Sequence, residues 1–198
     1  MGILSNRISR EELRAGDHIY AYRRGHTFSH HGIYVGKDLV IHFTSTNDPI
    51  NSSSSREPPC EKCGHDPNTK RGVLRTCINC FLKGHRLLRF EYEVSRLHFI
   101  SKHKGTCSTE CCYANEETIR RATEIFNKDK VHGKGFGDYD LLDNNCENFA
   151  SYCKRGTPVS EQALKAMGIA AASSSTDTQT SSTSKTAMLL SFFSSKSS

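Results

Sequence analysis

One cysteine, two histidines and a separate set of four cysteines carry the chemistry this chain could perform. Cys146 follows Asn144 and Asn145. Asparagine is a favoured helix N-cap, so the thiol opens a helix running from about 146 to 155, with Gly156 as its stop. A thiol there meets unpaired N–H donors and the positive end of the helix dipole, which favours thiolate. The inward face of this helix would be Cys146, Phe149, Ala150 and Cys153. Most buried cysteines are only small hydrophobes. A base beside Cys146 would make it a nucleophile.

The stretch Ser29-His30-His31-Gly32-Ile33-Tyr34-Val35-Gly36-Lys37-Asp38-Leu39-Val40-Ile41-His42-Phe43 supplies two candidate bases. Two apolar runs flank Gly36-Lys37-Asp38, the pattern of a β-hairpin. With a three-residue loop, paired residues sum to 74, so His42 lies opposite Gly32 with His30 as its diagonal neighbour on one face. Diagonal neighbours are about 7–8 Å apart at the backbone, close enough for two imidazoles to converge. A two-residue loop would send them to opposite faces, because side chains alternate along a strand. The site therefore depends on register. With His30 beside Cys146 and His42 behind His30, the three form nucleophile, base and orienting group.

Cys60-Glu61-Lys62-Cys63 and Cys77-Ile78-Asn79-Cys80 are two C-x-x-C pairs separated by thirteen residues. Four thiolates at these positions suit one tetrahedral, structural zinc ion with no open position. Gly64 and Gly84 would allow a knuckle turn after each pair, and His65 and His85 are nearby substitute ligands. Such a short segment, about 57–84, has little core of its own, so the metal would staple it as an insertion between strands. A redox pair is the alternative that C-x-x-C also permits. Cys107, Cys111 and Cys112 have no evident partner.

The remaining elements position these groups. Residues 1–9 form a lead, and Arg10 to Gly16 a short turn before an alternating strand over Asp17–Tyr22. Asn47 to Pro59 is a loop rich in Ser, Asn and Pro. Leu87–Val94 alternates and reads as a fourth strand. Asn115 is placed to cap a helix with Glu116 and Glu117 in its first turn and Ile119, Ala122, Ile125 and Phe126 as its apolar stripe, ended by the glycine-rich 132–137. A short helix over Pro158–Met167 follows. Of the 28 residues from Ala171 to Ser198, 16 are Ser or Thr. That composition cannot form a core and reads as a disordered tail, so 157–198 is an appendage.

Composition bounds the function. The 198 residues suit one ordinary domain, 10–156, with appendages. The net charge of +6 is spread through the body, as on a solvated basic surface, and nucleic acid is disfavoured as a partner. No apolar run approaches the roughly 18 residues of a membrane span. Ala187–Phe193 could touch a membrane surface. The N-terminus lacks the apolar core of a signal peptide, and Asn6 stands where a myristoylation signal has Ser or Thr. Nine cysteines without an export signal point to metal and thiol chemistry in a reducing compartment. The expected location is cytoplasmic, with peripheral membrane contact.

His30-His31-Gly32-Ile33-Tyr34-Val35-Gly36, then Val40-Ile41-His42-Phe43, then Asn145-Cys146-Glu147-Asn148-Phe149 resembles the lecithin:retinol acyltransferase (LRAT) family. Its relatives include the H-Ras-like suppressor phospholipase/acyltransferases and the plant NC-domain proteins. The family pattern has a second histidine twelve residues after the first, the separation of His30 and His42 here. The resemblance runs over roughly residues 8–156, with three separated blocks in order. His30 aligns with the catalytic histidine, His31 fills an aromatic slot, and Cys146 aligns with the nucleophile. The family's usual histidine after Cys-Glu is Asn148 in this chain. Its animal enzymes also carry a hydrophobic anchor that the Ser/Thr-rich tail does not reproduce.

The resemblance implies an α+β fold of the permuted papain-like (NlpC) type: an antiparallel sheet, with the catalytic cysteine at a helix N-terminus and the cysteine segment as a zinc-knuckle-like insertion. It implies an enzyme, a thiol acyltransferase or phospholipase A-type acyl hydrolase acting through Cys146, His30 and His42 and a thioester acyl-enzyme. No cofactor is needed for catalysis. The substrate would be an acyl lipid or acyl thioester. Removing Cys146 should abolish the chemistry, and changing His31 should cost much less. A cysteine peptidase or amidase, or a catalytically silent zinc-stapled interaction protein, is the alternative.

Overall fold

The computed structural model describes residues 6–23, 28–45, 58–67, 72–102, 105–132, 135–140 and 144–157. The 1–5 end, the helix expected over 158–167 and the Ser/Thr-rich tail lie outside the described residues. Among those described, the order is β1 (His18–Arg23), β2 (Phe28–Gly36), β3 (Leu39–Thr44), β4 (Gly72–Cys77), α1 (Ile78–Leu82), β5 (Leu88–Arg89), α2 (Arg96–Ser101), α3 (Asn115–His132) and α4 (Cys146–Arg155). The fold is α+β. Its five strands form one sheet in the order β4-β3-β2-β1-β5, each neighbour antiparallel.

The β2–β3 hairpin reaches the expected register by an unexpected route. Its loop has two residues, Lys37 and Asp38, both at positive φ (50° and 63°), closing on the pair Gly36↔Leu39. That turn alone would place His30 and His42 on opposite faces. A bulge between Tyr34 and Gly36 then shifts the register by one, so Tyr34 pairs with Val40 and Ile33 with Ile41. The two irregularities together restore the pairing that sums to 74.

Strand alternation divides the core in two. Ile33, Ile41, Phe43 and Val73 pack under Ala122 and Ile125 of α3 and under Phe149, Ala150 and Cys153 of α4. Ile19, Ala21 and Val40 pack on the other face against Ile78, Phe81 and Leu82 of α1. Part of the cysteine segment, Gly72–Cys77, thus belongs to the sheet. β4 pairs along all of β3, from Leu39↔Cys77 to Thr44↔Gly72. The expected fourth strand shrinks to Leu88–Arg89, on the opposite edge beside β1.

Gly32 is where the second layer closes most tightly. A Cβ built there would stand 2.8 Å from Val40 Cγ1 and 3.0 Å from both His42 Cβ and Phe81 Cε2. A Gly32→Ala chain should therefore lose about 1–3 kcal/mol of stability from overpacking. Urea unfolding of the two chains checks this; an unchanged midpoint would contradict it.

Candidate active site

Helix α4 begins at Cys146 because its cap is complete. The Asn145 side chain accepts hydrogen bonds from the backbone N–H groups of Glu147 (2.8 Å) and Asn148 (3.1 Å). The Asn148 side chain in turn accepts from the Asn145 N–H at 3.1 Å, closing a capping box. Asn148 thus has a structural use of its own. Gly156 ends the helix at φ 77°, as its position predicts.

The cap leaves Cys146 3% exposed. Its Sγ lies 3.6 Å from the backbone carbonyl of Ser29, the residue before His30. Burial pushes the thiol up to about 11, against the opposing pull of the His31 backbone and the Tyr139 hydroxyl. The expectation of a helix-stabilised thiolate is corrected here, because at this depth desolvation outweighs the helix end.

The two histidines meet on the α1 side of the sheet. His30 Nε2 is 2.9 Å from His42 Nδ1, and His42 Nε2 is 3.1 Å from Thr76 Oγ1. The Phe81 ring packs against both, at 5.2 Å from His30 and 5.4 Å from His42 between centroids. Arg23 is buried beside them and donates to the carbonyl of Leu82 at 2.9 Å and to that of Phe81, holding the C-terminal end of α1. Burial lowers His42 to about 3 and His30 well below the ordinary imidazole value. The structure thus joins His30 to His42 directly. It brings Cys146 to the backbone immediately before His30, where the thiol's hydrogen bond goes to that carbonyl.

His31 is not incidental. It is fully buried on the α4 side, with Nε2 2.7 Å from Ser29 Oγ and Nδ1 2.8 Å from His18 Nε2. His18 Nδ1 is 2.8 Å from the Tyr92 hydroxyl. Sequence reading missed this second network. The one available signal was His18 and His31 on strands that pair with those side chains on one face.

With this geometry in place, comparison with known proteins is decisive. The sequence profile described as Lecithin retinol acyltransferase matches residues 11–159. The chain belongs to that family. Protein LEAD-SENSITIVE 1 of Arabidopsis thaliana is 42% identical over 174 residues, which is 81% of this chain and 64% of that protein. Lecithin retinol acyltransferase of Rattus norvegicus is 29% identical over 138 residues, 70% of this chain and 53% of the relative. The Homo sapiens protein of that name is 28% identical over 137 residues, 69% and 53%. The chain spans between half and two thirds of the length of these relatives.

The four cysteines of the LRAT-family chain's other site also converge. The sulfurs of Cys60, Cys63, Cys77 and Cys80 all lie within 4.8 Å of one another, with Cys60–Cys77 at 3.9 Å and Cys63–Cys80 at 3.7 Å. Disulfides need about 2.05 Å, and all four are free thiols. A tetrahedral ion with 2.3 Å metal–sulfur bonds spaces its sulfurs about 3.8 Å apart, so the donor set fits a metal. The halves are built differently. Gly64 closes a turn after the first pair, donating to the Cys60 carbonyl at 2.7 Å with φ 68°. The second pair lies across the start of α1, and Gly84 falls beyond that helix. Hydrogen bonds from the Cys63 backbone N–H, the Cys80 thiol and the Lys62 backbone N–H lower the Cys60 thiol to about 6. Among the described residues Cys107 is buried, Cys112 half-buried and Cys111 exposed, and none of the three is in a disulfide.

The buried imidazoles set a pH signature. His18, His30, His31 and His42 are all lowered, with burial the largest cause of each shift. The unfolded chain binds their protons near pH 6.5, while the folded His31 and His42 resist until about 3. Their stabilising effect is therefore complete above pH 6.5 and is lost as pH falls, at up to about 1.4 kcal/mol per pH unit for each histidine. Urea midpoints should fall steadily from pH 7 to pH 5. A flat profile across that window would contradict the burial of these rings as neutral groups.

Proposed function

We propose that this chain is a thiol-dependent acyltransferase or acyl hydrolase, with Cys146 as nucleophile, His30 as its base and His42 orienting His30. The observation that carries the reading is the meeting at the start of β2: a capped helix brings Cys146 Sγ to the carbonyl of Ser29, and the next residue holds a second imidazole at 2.9 Å. Membership of the LRAT family supports the chemical class. On this reading the fold is the permuted NlpC-type papain-like arrangement, and residues 10–156 are its working part.

The reaction has two halves. Cys146 leaves the Ser29 carbonyl and attacks the carbonyl carbon of an acyl lipid or acyl thioester, while His30 takes the thiol proton. Proton transfer accompanies attack, because the buried thiol rests protonated. The tetrahedral intermediate collapses; the carbon–oxygen or carbon–sulfur bond to the leaving group breaks, and that group takes the proton from His30. A thioester on Cys146 remains. His30 then deprotonates an acceptor hydroxyl or water, which attacks the thioester and returns the thiol. No described helix is long and apolar enough to cross a membrane; peripheral contact from the cytoplasmic side is the mode of access we favour.

Cys60, Cys63, Cys77 and Cys80 hold one structural zinc ion in this proposal, which ties the first cysteine pair to β4 and α1. Metal analysis of the purified chain should find close to one zinc per molecule, and a Cys63→Ser, Cys80→Ser chain should carry little. A full complement of metal in the double variant would contradict the site.

A catalytically silent interaction protein is the second reading, favoured by the burial of Cys146. Mass spectrometry after incubation with phospholipids and acyl thioesters separates the two. The active chain should gain one acyl mass on the Cys146 peptide, absent from Cys146→Ala and reduced at least a hundredfold in His30→Gln, the scale of a lost general base. No adduct, or equal labelling of several cysteines, would support the silent protein.

A further inference from the structure

We propose that Thr76 is a positioning residue whose hydroxyl fixes the tautomer of His42 and thereby leaves Nδ1 of His30 as the nitrogen that accepts the Cys146 proton. The inference rests on the reading of Cys146 and His30 given above. It follows from donor accounting along one chain of hydrogen bonds. Thr76 is 1% exposed, and its hydroxyl has two partners. It donates to the carbonyl of Cys77 at 3.3 Å, a group that can only accept. Its single proton is then spent, so at 3.1 Å from His42 Nε2 the oxygen accepts, and Nε2 carries a hydrogen.

A neutral imidazole has one N–H and one lone pair. His42 Nδ1 is therefore the acceptor, and His30 Nε2, at 2.9 Å, is the donor. The lone pair of His30 falls on Nδ1, the ring nitrogen nearer its own backbone and so nearer the strand that Cys146 touches. The opposite order, with Thr76 donating to His42 Nε2 and His42 Nδ1 donating to His30 Nε2, would take the hydroxyl proton away from the Cys77 carbonyl. Burial keeps both rings neutral, so each has a single N–H to place.

The anchor of this chain is rigid. Cys77, whose carbonyl receives the Thr76 proton, pairs with Leu39 across β3 and β4, and its sulfur belongs to the four-cysteine cluster. Phe81, which packs on both imidazoles, directly follows Cys80 of that cluster. Both supports of the histidine pair are therefore next in sequence to a cluster cysteine. The cysteine segment positions the candidate base in addition to closing the edge of the sheet.

The test uses the full chain with ¹⁵N-labelled histidine rings, read by two-bond ¹H–¹⁵N spectra, and Cys146 acylation by an acyl thioester probe. Wild type and Thr76→Ser, which keeps the hydroxyl, should show His30 and His42 with the proton on Nε2. Thr76→Val, which keeps the shape, should lose that bias at His42. Its maximal acylation rate should fall roughly tenfold, the scale of one hydrogen bond, with the half-saturating probe concentration unchanged. Thr76→Ser should stay close to wild type in rate. A wild-type His42 protonated on Nδ1, or a Val variant with wild-type spectra, would overturn the proposal. The wild-type and Ser spectra decide the tautomer even if the Val chain fails to fold. A chain with the expected tautomers but no adduct would overturn the acyl-transfer reading and uphold the role of Thr76 in fixing His42.

Discussion

The register between β2 and β3 is the constraint on which the site depends. A strand has a side-chain period of two, so a slip of one residue moves every side chain to the other face. The two-residue loop at Lys37 and Asp38 sets one register and the bulge after Tyr34 sets another. Their combination puts His30, Gly32 and His42 on the face covered by α1. The loop is itself tied down: the Asp38 carbonyl accepts from the Ile78 N–H at 2.9 Å, and its carboxylate pairs with Lys62. The cysteine segment thus holds the hairpin tip as well as the edge of the sheet.

Consecutive residues of β2 send polar networks to opposite faces. His30 leads through His42 to Thr76 on the α1 side. Ser29 and His31 lead to His18 and Tyr92 on the α4 side. Buried imidazoles are costly unless partnered, and among the described residues every buried side-chain nitrogen and oxygen has a hydrogen-bond partner. Cys146 comes to the backbone between the two networks. Burial raises its thiol above the ordinary cysteine value, so the helix end does not by itself yield a standing thiolate.

Much of this was legible in the sequence, for local reasons. Asn145 and Gly156 bound α4 because capping is decided within a few residues, and the inward residues Phe149, Ala150 and Cys153 are buried as their spacing requires. The histidine pairing was legible only on condition of a three-residue loop; the structure reaches the same register with a two-residue loop and a bulge. The two C-x-x-C motifs converge as their spacing predicts. Less legible was whatever depends on distant partners. Gly72–Cys77 shows no strong alternation, yet forms a strand because β3 offers it a full ladder. Leu87–Val94 alternates well, but only Leu88 and Arg89 pair with β1, and from Glu91 on its backbone bonds turn to residues 106–110. The bulge left no trace beyond a glycine, and the depth of Cys146 depends on how α4 docks, which no local pattern encodes.

The central claim is that Cys146 and His30 act on one acyl carbonyl. A crystal structure of the chain with a covalent acyl mimic on Cys146 tests it most directly. The account predicts that the sulfur will have turned away from the Ser29 carbonyl, with Nδ1 of His30 within hydrogen-bond reach of the adduct and His42 still bonded to Nε2. An adduct with both nitrogens of His30 out of hydrogen-bond reach of the reacting atoms would contradict it.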